Sequence, residues 1–427
     1  MRPQMLLASG SRNSILSEGE KESYSTAHAT LAALSPSPAM PILAAFIVAT
    51  CGHGLYFGSR LGISLAGIAL GASPATLGLL NACSGLMPIF LGLAIGRWVD
   101  RVGVRVPLMA AALAAILGML APFAWPSYAA LALAALCAGL LFVTSVICTQ
   151  KTVAALSAPE RRVGQLGWLS AATAVGASFA LVAVGVAVDH LGHRASFALA
   201  ALLPAIALAA LATLGRALPP GEADAPRRAK GASLALLREP DLRIMLVLSA
   251  VVPVASDTFS FIVPIIGSRL GWSASLVGVI TGASFASSLA ARVLLPWLSR
   301  RMGAWTLLGA SYVTVTATYF ALPWITLPAV MIGFSVLIGL GCGIAPPVLS
   351  ALLYAASPAG RQGEVIGLRS ILQFSLTTGA PLAVGALGTL VGLAPIVSAM
   401  GAAMAWAAQR SFRETGRRRS AQAPKAP

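Results

Sequence analysis

Charge is what this sequence has least of. Only 10% of its 427 residues are Asp, Glu, Lys or Arg, where a soluble domain carries about 25%. Acids are scarcer than bases, with 13 Asp and Glu against 29 Lys and Arg. Apolar residues make up 57% of the chain and the mean hydropathy is +0.85. A soluble fold cannot hide that much apolar surface, because surface area demands polar cover. The five cysteines (Cys51, Cys83, Cys137, Cys148, Cys342) fall singly inside apolar segments, with no C-x-x-C pair. That excludes a disulfide framework or a zinc site and leaves small apolar filler. There is no G-x-x-x-x-G-K-[ST] loop, no H-E-x-x-H and no G-x-S-x-G. Built-in ATP drive, zinc proteolysis and serine hydrolysis are excluded with them, and no cofactor or metal is expected.

What the chain does have is a succession of apolar segments of about 20 residues, each able to cross ~30 Å of hydrocarbon at 1.5 Å per residue. They are rich in Ala, Leu, Gly and Val without strict alternation, which favours helices over a barrel. The pattern predicts an all-α integral membrane protein with twelve transmembrane helices. The spans are 41–69, 75–96, 106–124, 127–152, 164–188, 194–215, 243–268, 275–298, 304–324, 327–356, 364–391 and 394–411. A long charged connector at 216–242 divides them into bundles at 41–215 and 243–412, flanked by a polar tail at 1–40 and a basic tail at 413–427. Of the Lys and Arg residues, only Arg60, Arg194 and Arg269 fall at or near the odd-numbered connections. By the positive-inside rule both termini and the connector are cytoplasmic, in a multi-pass protein of the inner (plasma) membrane. The net charge of +16 is then an orientation signal facing lipid headgroups, not a nucleic-acid footprint.

The two bundles are repeats. With residue n laid on residue n+200, LGASPATLG (70–78) falls on LGWSASLVG (270–278), Gly103 on Gly303, Gly167 on Gly367, and AVG at 183–185 on AVG at 383–385. One offset matching in separate regions predicts two pseudo-symmetric six-helix bundles about an axis along the membrane normal. The pentapeptide GSRLG also occurs twice, beginning at residues 58 and 267, but out of that register. Its second copy, with Arg269, belongs to a membrane edge. Its first places Arg60 inside span 1.

Between spans 2 and 3 the chain reads Gly96-Arg97-Trp98-Val99-Asp100-Arg101-Val102-Gly103-Val104-Arg105. This resembles the G-x-x-x-D-R-x-G-R signature of the major facilitator superfamily (MFS), matching at Gly96, Asp100, Arg101, Gly103 and Arg105. A degenerate copy with Arg300, Arg301 and Gly303 lies between spans 8 and 9. The resemblance implies an MFS transporter: a monomer whose halves rock about a midplane site for a small-molecule substrate. It also implies a conformational latch in which Asp100 pairs with an arginine or a helix N-terminus of the other half. Drug/proton antiporters of that superfamily carry Gly-Pro-x-x-Gly-Gly in span 5. Here span 5 has no proline, while span 11 holds a partial echo in Gly379-Ala380-Pro381 and Gly385.

Ionisable groups inside hydrocarbon are functional by default. Only one acid, Asp257, lies deep in a span, bracketed by Pro253 and Pro264 in span 7. The 200-residue register sets Asp257 level with Phe57 and Arg60 level with Ser260. His53, Arg60 and Asp257 therefore share a depth within ~10 Å, on spans that face the central cavity in the superfamily. These three are the candidate proton-coupling or substrate-binding groups. Thr144, Ser145, Thr149 and Tyr354 are candidate cavity-wall residues. Pro253, Gly341, Gly343, Pro346 and Pro347 are candidate bends of gating helices. Arg292 and Arg369 read as snorkelling or gate contacts near helix ends, and Lys151 and Asn81 as weaker cases of the same kind.

The expected function is secondary, proton-coupled transport. Export of a metabolite or drug is favoured, with uptake of an organic anion through Arg60 as the alternative. The partners are substrate, protons and the bilayer. The apolar pattern starts directly after Met40, so residues 1–39 form a dispensable tail or precede a start at Met40. Deletion of 1–39 is expected to leave folding and flux unchanged, checked by thermal stability and proteoliposome transport of the shortened chain.

Overall fold

The structure, a computed structural model, describes residues 39–213, 218, 238–357 and 362–422. The expected tail before residue 39, most of the 216–242 connector and residues 423–427 lie outside the described residues. The regular structure among the described residues is helical. In chain order the segments are α1 (Ala39–Ala69), α2 (Pro74–Val102), α3 (Arg105–Ala124), α4 (Tyr128–Leu156), α5 (Pro159–Ala200) and α6 (Leu202–Thr213). After the connector come α7 (Pro240–Arg269), α8 (Ala274–Arg301), α9 (Ala304–Ala321), a 3-10 turn at Leu322–Trp324, α10 (Pro328–Ala356), α11 (Gln362–Val391) and α12 (Leu393–Gln422).

Local chemistry sets the starts. Ser73, Ser127 and Ser273 each cap a helix, their hydroxyls accepting from the backbone N–H of Thr76, Ala130 and Leu276 at 3.2 Å. Pro74 and Pro328 open helices where an N–H would have no partner anyway. Nine runs among the described residues are long and apolar enough to cross a membrane. The expected fifth and sixth spans form one such run, Gly164–Thr213. Inside it Gly192, at φ 82°, turns the chain within α5. The helix of the last expected span extends beyond it. No boundary falls at residue 412, because the Ala- and Arg-rich sequence continues α12 to Gln422.

The repeat is visible in the backbone. Gly71 and Gly271 have φ of 78° and 68°, and Gly192 and Gly392 have 82° and 81°, so matched residues make matched turns. The same register builds the contact between the halves. A methyl group at Gly78 on α2 would run into the Pro381 carbonyl of α11, and one at Gly385 into the Pro74 carbonyl. On the other side of the pseudo-axis, one at Gly278 on α8 would meet the Leu181 carbonyl of α5, and one at Gly185 the Ala274 carbonyl. Two seams, α2–α11 and α5–α8, are thus closed by backbone-to-backbone approach. In lipid, where apolar surface gives helices no drive to associate, such small-residue contacts hold them together.

Both seams lie at the end of the molecule away from the connector, hereafter the far end. Gly92, Gly96, Gly164 and Gly167, toward the connector end of α2 and α5, have no neighbour from the opposite half within 4 Å of a Cβ position. The halves therefore meet at the far end and diverge toward the connector. Within the second half, Tyr312 and Tyr319 of α9 are fully buried and donate to the Leu248 and Ala255 carbonyls of α7 at 2.8 and 2.5 Å.

Gly78→Val or Gly278→Val drives a side chain into a carbonyl that cannot retreat. Each is expected to lose about 1–3 kcal/mol of packing. The checks are a lower Tm and faster labelling of a cysteine introduced at Ser275 on the far end.

Candidate functional site

The space left between the diverging halves is a cavity of about 350 Å³ lined by both of them, within the usual size range for small-molecule sites. Helical periodicity selects its walls. On α1, His53 and Phe57 line it with Arg60 one turn beyond, at i, i+4 and i+7. On α8 it is Phe285, Ser288 and Arg292, at i, i+3 and i+7. On α11 it is Arg369, Gln373 and Thr377, at i, i+4 and i+8. Each series is one face of a helix. Ser170 and Thr173 of α5, Asp257 of α7, and Cys342 and Pro346 of α10 also line it.

At the cavity's deep end Arg60 and Asp257 meet. Arg60 Nη1 lies 3.3 Å from Asp257 Oδ2, with side-chain exposures of 8% and 14%. The pair joins α1 to α7, one helix from each half. The Arg60 guanidinium also sits 5.5 Å from the centre of the Tyr56 ring. Burying two charges is costly, and only their pairing and added hydrogen bonds offset it. Aromatic rings surround the pair. Tyr56 stacks on Phe142 at 4.1 Å, and Phe57 packs against Phe285 at 4.5 Å, again across the halves. His53 stands on the same wall, its Nδ1 3.0 Å from the Ala49 carbonyl and its ring edge-on to Phe142 at 4.9 Å. It shares the cavity with the ion pair without bonding to it.

Other expected residues stand elsewhere. Thr144, Ser145 and Thr149 are at most 2% exposed. Their hydroxyls donate to α4's own carbonyls of Leu140, Phe142 and Ser145 at 2.6–2.8 Å. They face helix contacts, Ser145 filling the space opposite Gly52, and Phe142 is what α4 sends into the cavity. Tyr354 is 60% exposed and is not part of the wall. Gly341 and Gly343 let α10 approach the Ser311 carbonyl of α9 and the Ser288 carbonyl of α8. Close packing is what they provide, and α10 is continuous through Pro346 and Pro347. Pro253 and Pro346 line the cavity directly.

Arg292 and Arg369, read from sequence as snorkelling or gate residues, both line the cavity. Arg292 Nη1 donates to Ser170 Oγ across the halves at 2.9 Å, and Arg369 Nη1 to Ser350 Oγ at 2.5 Å. Among the described residues Asp257 is the one acid of the lining. A separate shallow pocket of about 160 Å³ at the connector end is bordered by Trp305, Arg410, Arg413, Glu414 and Arg417. Among the described residues no cluster of His, Cys, Asp or Glu could hold a metal.

Asp100 does not cross to the other half in this conformation. Lys151 Nζ, from α4 of its own half, takes it at 2.7 Å, consistent with halves that diverge at this end. Gly103, at φ 87°, makes the sharp turn after α2, with Arg101 and Arg105 exposed beside it and Gly96 one turn before Asp100. A carboxylate that does reach a helix terminus of the other half is at the far end. Asp189 of α5 accepts from the Ala274 and Ser275 N–H groups of α8 at 2.9 and 2.7 Å. From sequence Asp189 was one helix-end acid among several. Its place opposite a Ser-capped N-terminus appears only once the seam is known.

Three comparisons bear on the whole chain. A crystal structure of a point mutant of the nucleoside transporter NupG matches with TM-score 0.72 at 14% identity, covering 87% of this chain and 99% of that one. A POT family transporter in complex with a thioalcohol-conjugated peptide matches with TM-score 0.71 at 13% identity, over 88% and 96%. A POT family transporter in complex with 5-aminolevulinic acid matches with TM-score 0.69 at 12% identity, over 87% and 95%. At these identities the likeness is one of fold. Comparison with curated protein sequences finds no match. The sequence profile of the Major Facilitator Superfamily matches residues 29–381, most of the chain and both halves, and the protein belongs to that superfamily.

Proposed function

We propose that the chain is a secondary transporter that moves a small organic solute across the cytoplasmic membrane by alternating access, coupled to protons through the Arg60–Asp257 pair. The observation that carries the reading is the cavity itself. It lies between two pseudo-symmetric halves, is sealed at one end by paired glycine seams, and holds a buried ion pair spanning both halves at its floor. Proton coupling needs a carboxylate whose charge matters to the contact between halves. Neutralising Asp257 removes the attraction that ties α1 to α7 and strands a buried Arg60. In the charged state the pair holds that contact; in the protonated state it releases it. His53, on the same wall, is a second group that can carry a proton or bond a substrate.

The transmembrane topology belongs to the same proposal. The Lys and Arg distribution supports cytoplasmic termini and connector, and twelve crossings follow if α9 and α12 span and Gly192 divides two spans. The connector end is then the cytoplasmic end and the cavity opens inward. Asp189, held by two N–H groups of α8, acts as an outer latch in that state, while the Asp100 signature, paired with Lys151, waits for the other one. Export of a metabolite or drug and uptake of an organic anion both fit this cycle. The surplus of arginines over acids in the cavity favours an anionic cargo.

Two expectations test this. In proteoliposomes with an imposed pH gradient, a panel of small organic solutes should include one whose flux requires the protein and collapses the gradient. Asp257→Asn should abolish the coupling, and coupled flux that persists in that variant ends the role of Asp257. For the latch, an anion at a helix N-terminus contributes about 0.3–2 kcal/mol. Asp189→Asn should therefore shift the population toward far-end opening by roughly two- to thirty-fold, read as spin-label distances between α5 and α8. An unchanged distance distribution would rule the latch out.

A further inference from the structure

The cavity carries more positive charge than its chemistry has used. Arg292 on α8 and Arg369 on α11 both line it, and neither forms an ion pair among the described residues. Arg292 Nη1 donates to the Ser170 hydroxyl and, at 3.5 Å, to its carbonyl, and Arg369 Nη1 to the Ser350 hydroxyl. Arg369 Nε is buried with no hydrogen-bond partner. A guanidinium has five N–H donors, so most of the donor capacity of the two is unspent. Among the described residues the one acid of the lining, Asp257, is held by Arg60 and cannot serve them. Two cations in a confined, mostly apolar space without a counter-charge are unfavourable until an anion enters.

Their depth separates them from the ion pair. Arg292 stands nine residues from the end of α8 and Arg369 seven from the start of α11, about 14 and 10 Å in from the connector end. Asp257 stands seventeen residues into α7, about 26 Å in. The arginines are met first by a solute entering from the connector end. Between the two levels the wall is aromatic, with Phe142, Phe285 and Phe374.

We propose that this half of the cavity is a binding site for an organic anion with a flat apolar body, its acid group held by Arg292 and Arg369 and its body against the phenylalanines. A carboxylate, sulfonate or phosphate ester fits the planar guanidinium fork, and a flat ring fits the aromatic wall. The volume of about 350 Å³ limits the cargo to a small molecule. A cationic ligand is disfavoured because the one available carboxylate is already paired. The assignment takes its place in a cycle from the transport reading above, but the binding itself does not depend on it.

The test uses the purified full-length chain in nanodiscs and three phenyl anions: benzoate, benzenesulfonate and phenyl phosphate. Benzamide and benzylamine serve as neutral and cationic controls. At least one anion should raise the Tm saturably while both controls leave it in place. Arg292→Gln and Arg369→Gln should each weaken the apparent Kd by about tenfold or more, the scale of a lost charge-assisted hydrogen bond. Arg410→Gln, in the separate shallow pocket, should not weaken it. If a Gln variant does not fold, the Lys variant at the same position is read instead. It keeps the charge, loses the fork and should bind less tightly than wild type. No protection by any of the three anions, equal protection by benzamide, or wild-type affinity in the variants at both positions overturns the site. Flux of the bound anion in proteoliposomes is measured separately. Binding without flux counts against the transport reading alone; flux with unchanged affinity in the arginine variants counts against the site alone.

Discussion

The structure depends on how closely two backbones can approach. Lipid is as apolar as a leucine side chain, so helices in it gain little from burying apolar surface against each other. What remains is contact, and contact between helices is greatest where side chains are absent. Gly78 against α11 and Gly278 against α5 supply it, with Gly385 and Gly185 returning the approach from the other side. Because these residues sit toward the far end of their helices, the backbones of the halves come closest there and diverge toward the connector, where side chains such as Arg292 still reach across. The cavity, its opening toward the connector and the ring contact of Phe57 with Phe285 follow from where the glycines lie.

Within that space charge is arranged by the same scarcity that marks the sequence. One deep acid is available, and a residue from the opposite half claims it. The Arg60–Asp257 pair is therefore both a bond between halves and a neutralisation, and among the described residues it leaves the arginines nearer the mouth without an acid partner. A cavity with one free acid would suit an ammonium group; among the described residues this one has arginines in excess of acids.

Much of this was legible in the letters. Apolar run length and the absence of alternation gave membrane helices, and the offset of 200 picked out Gly78, Gly278, Gly185 and Gly385 before any packing was known. The depth of Asp257 and Arg60 along their spans was enough to place them at one level. Less legible was direction around each helix. Thr144, Ser145 and Thr149 have the right depth and polarity for a wall but turn into α4's neighbours, their hydroxyls satisfied by their own helix. In sequence Arg292 and Arg369 stand near helix ends, a position that snorkelling explains. The polar series Arg369, Gln373, Thr377 along one face of α11 was the signal that they look inward. Asp189 carried no local signal, since its partner is a helix terminus 85 residues away in sequence.

The repeat is imperfect at that residue. In the 200-residue register Asp189 of α5 is matched by Thr389 of α11, whose hydroxyl turns back to its own Ala386 carbonyl. The seams α5–α8 and α2–α11 are thus alike in shape and unlike in charge: one is sewn by a carboxylate to a helix terminus, the other held by contact alone. The two edges that join the halves are therefore unequal: among the described residues only the α5–α8 edge carries a charge-assisted bond.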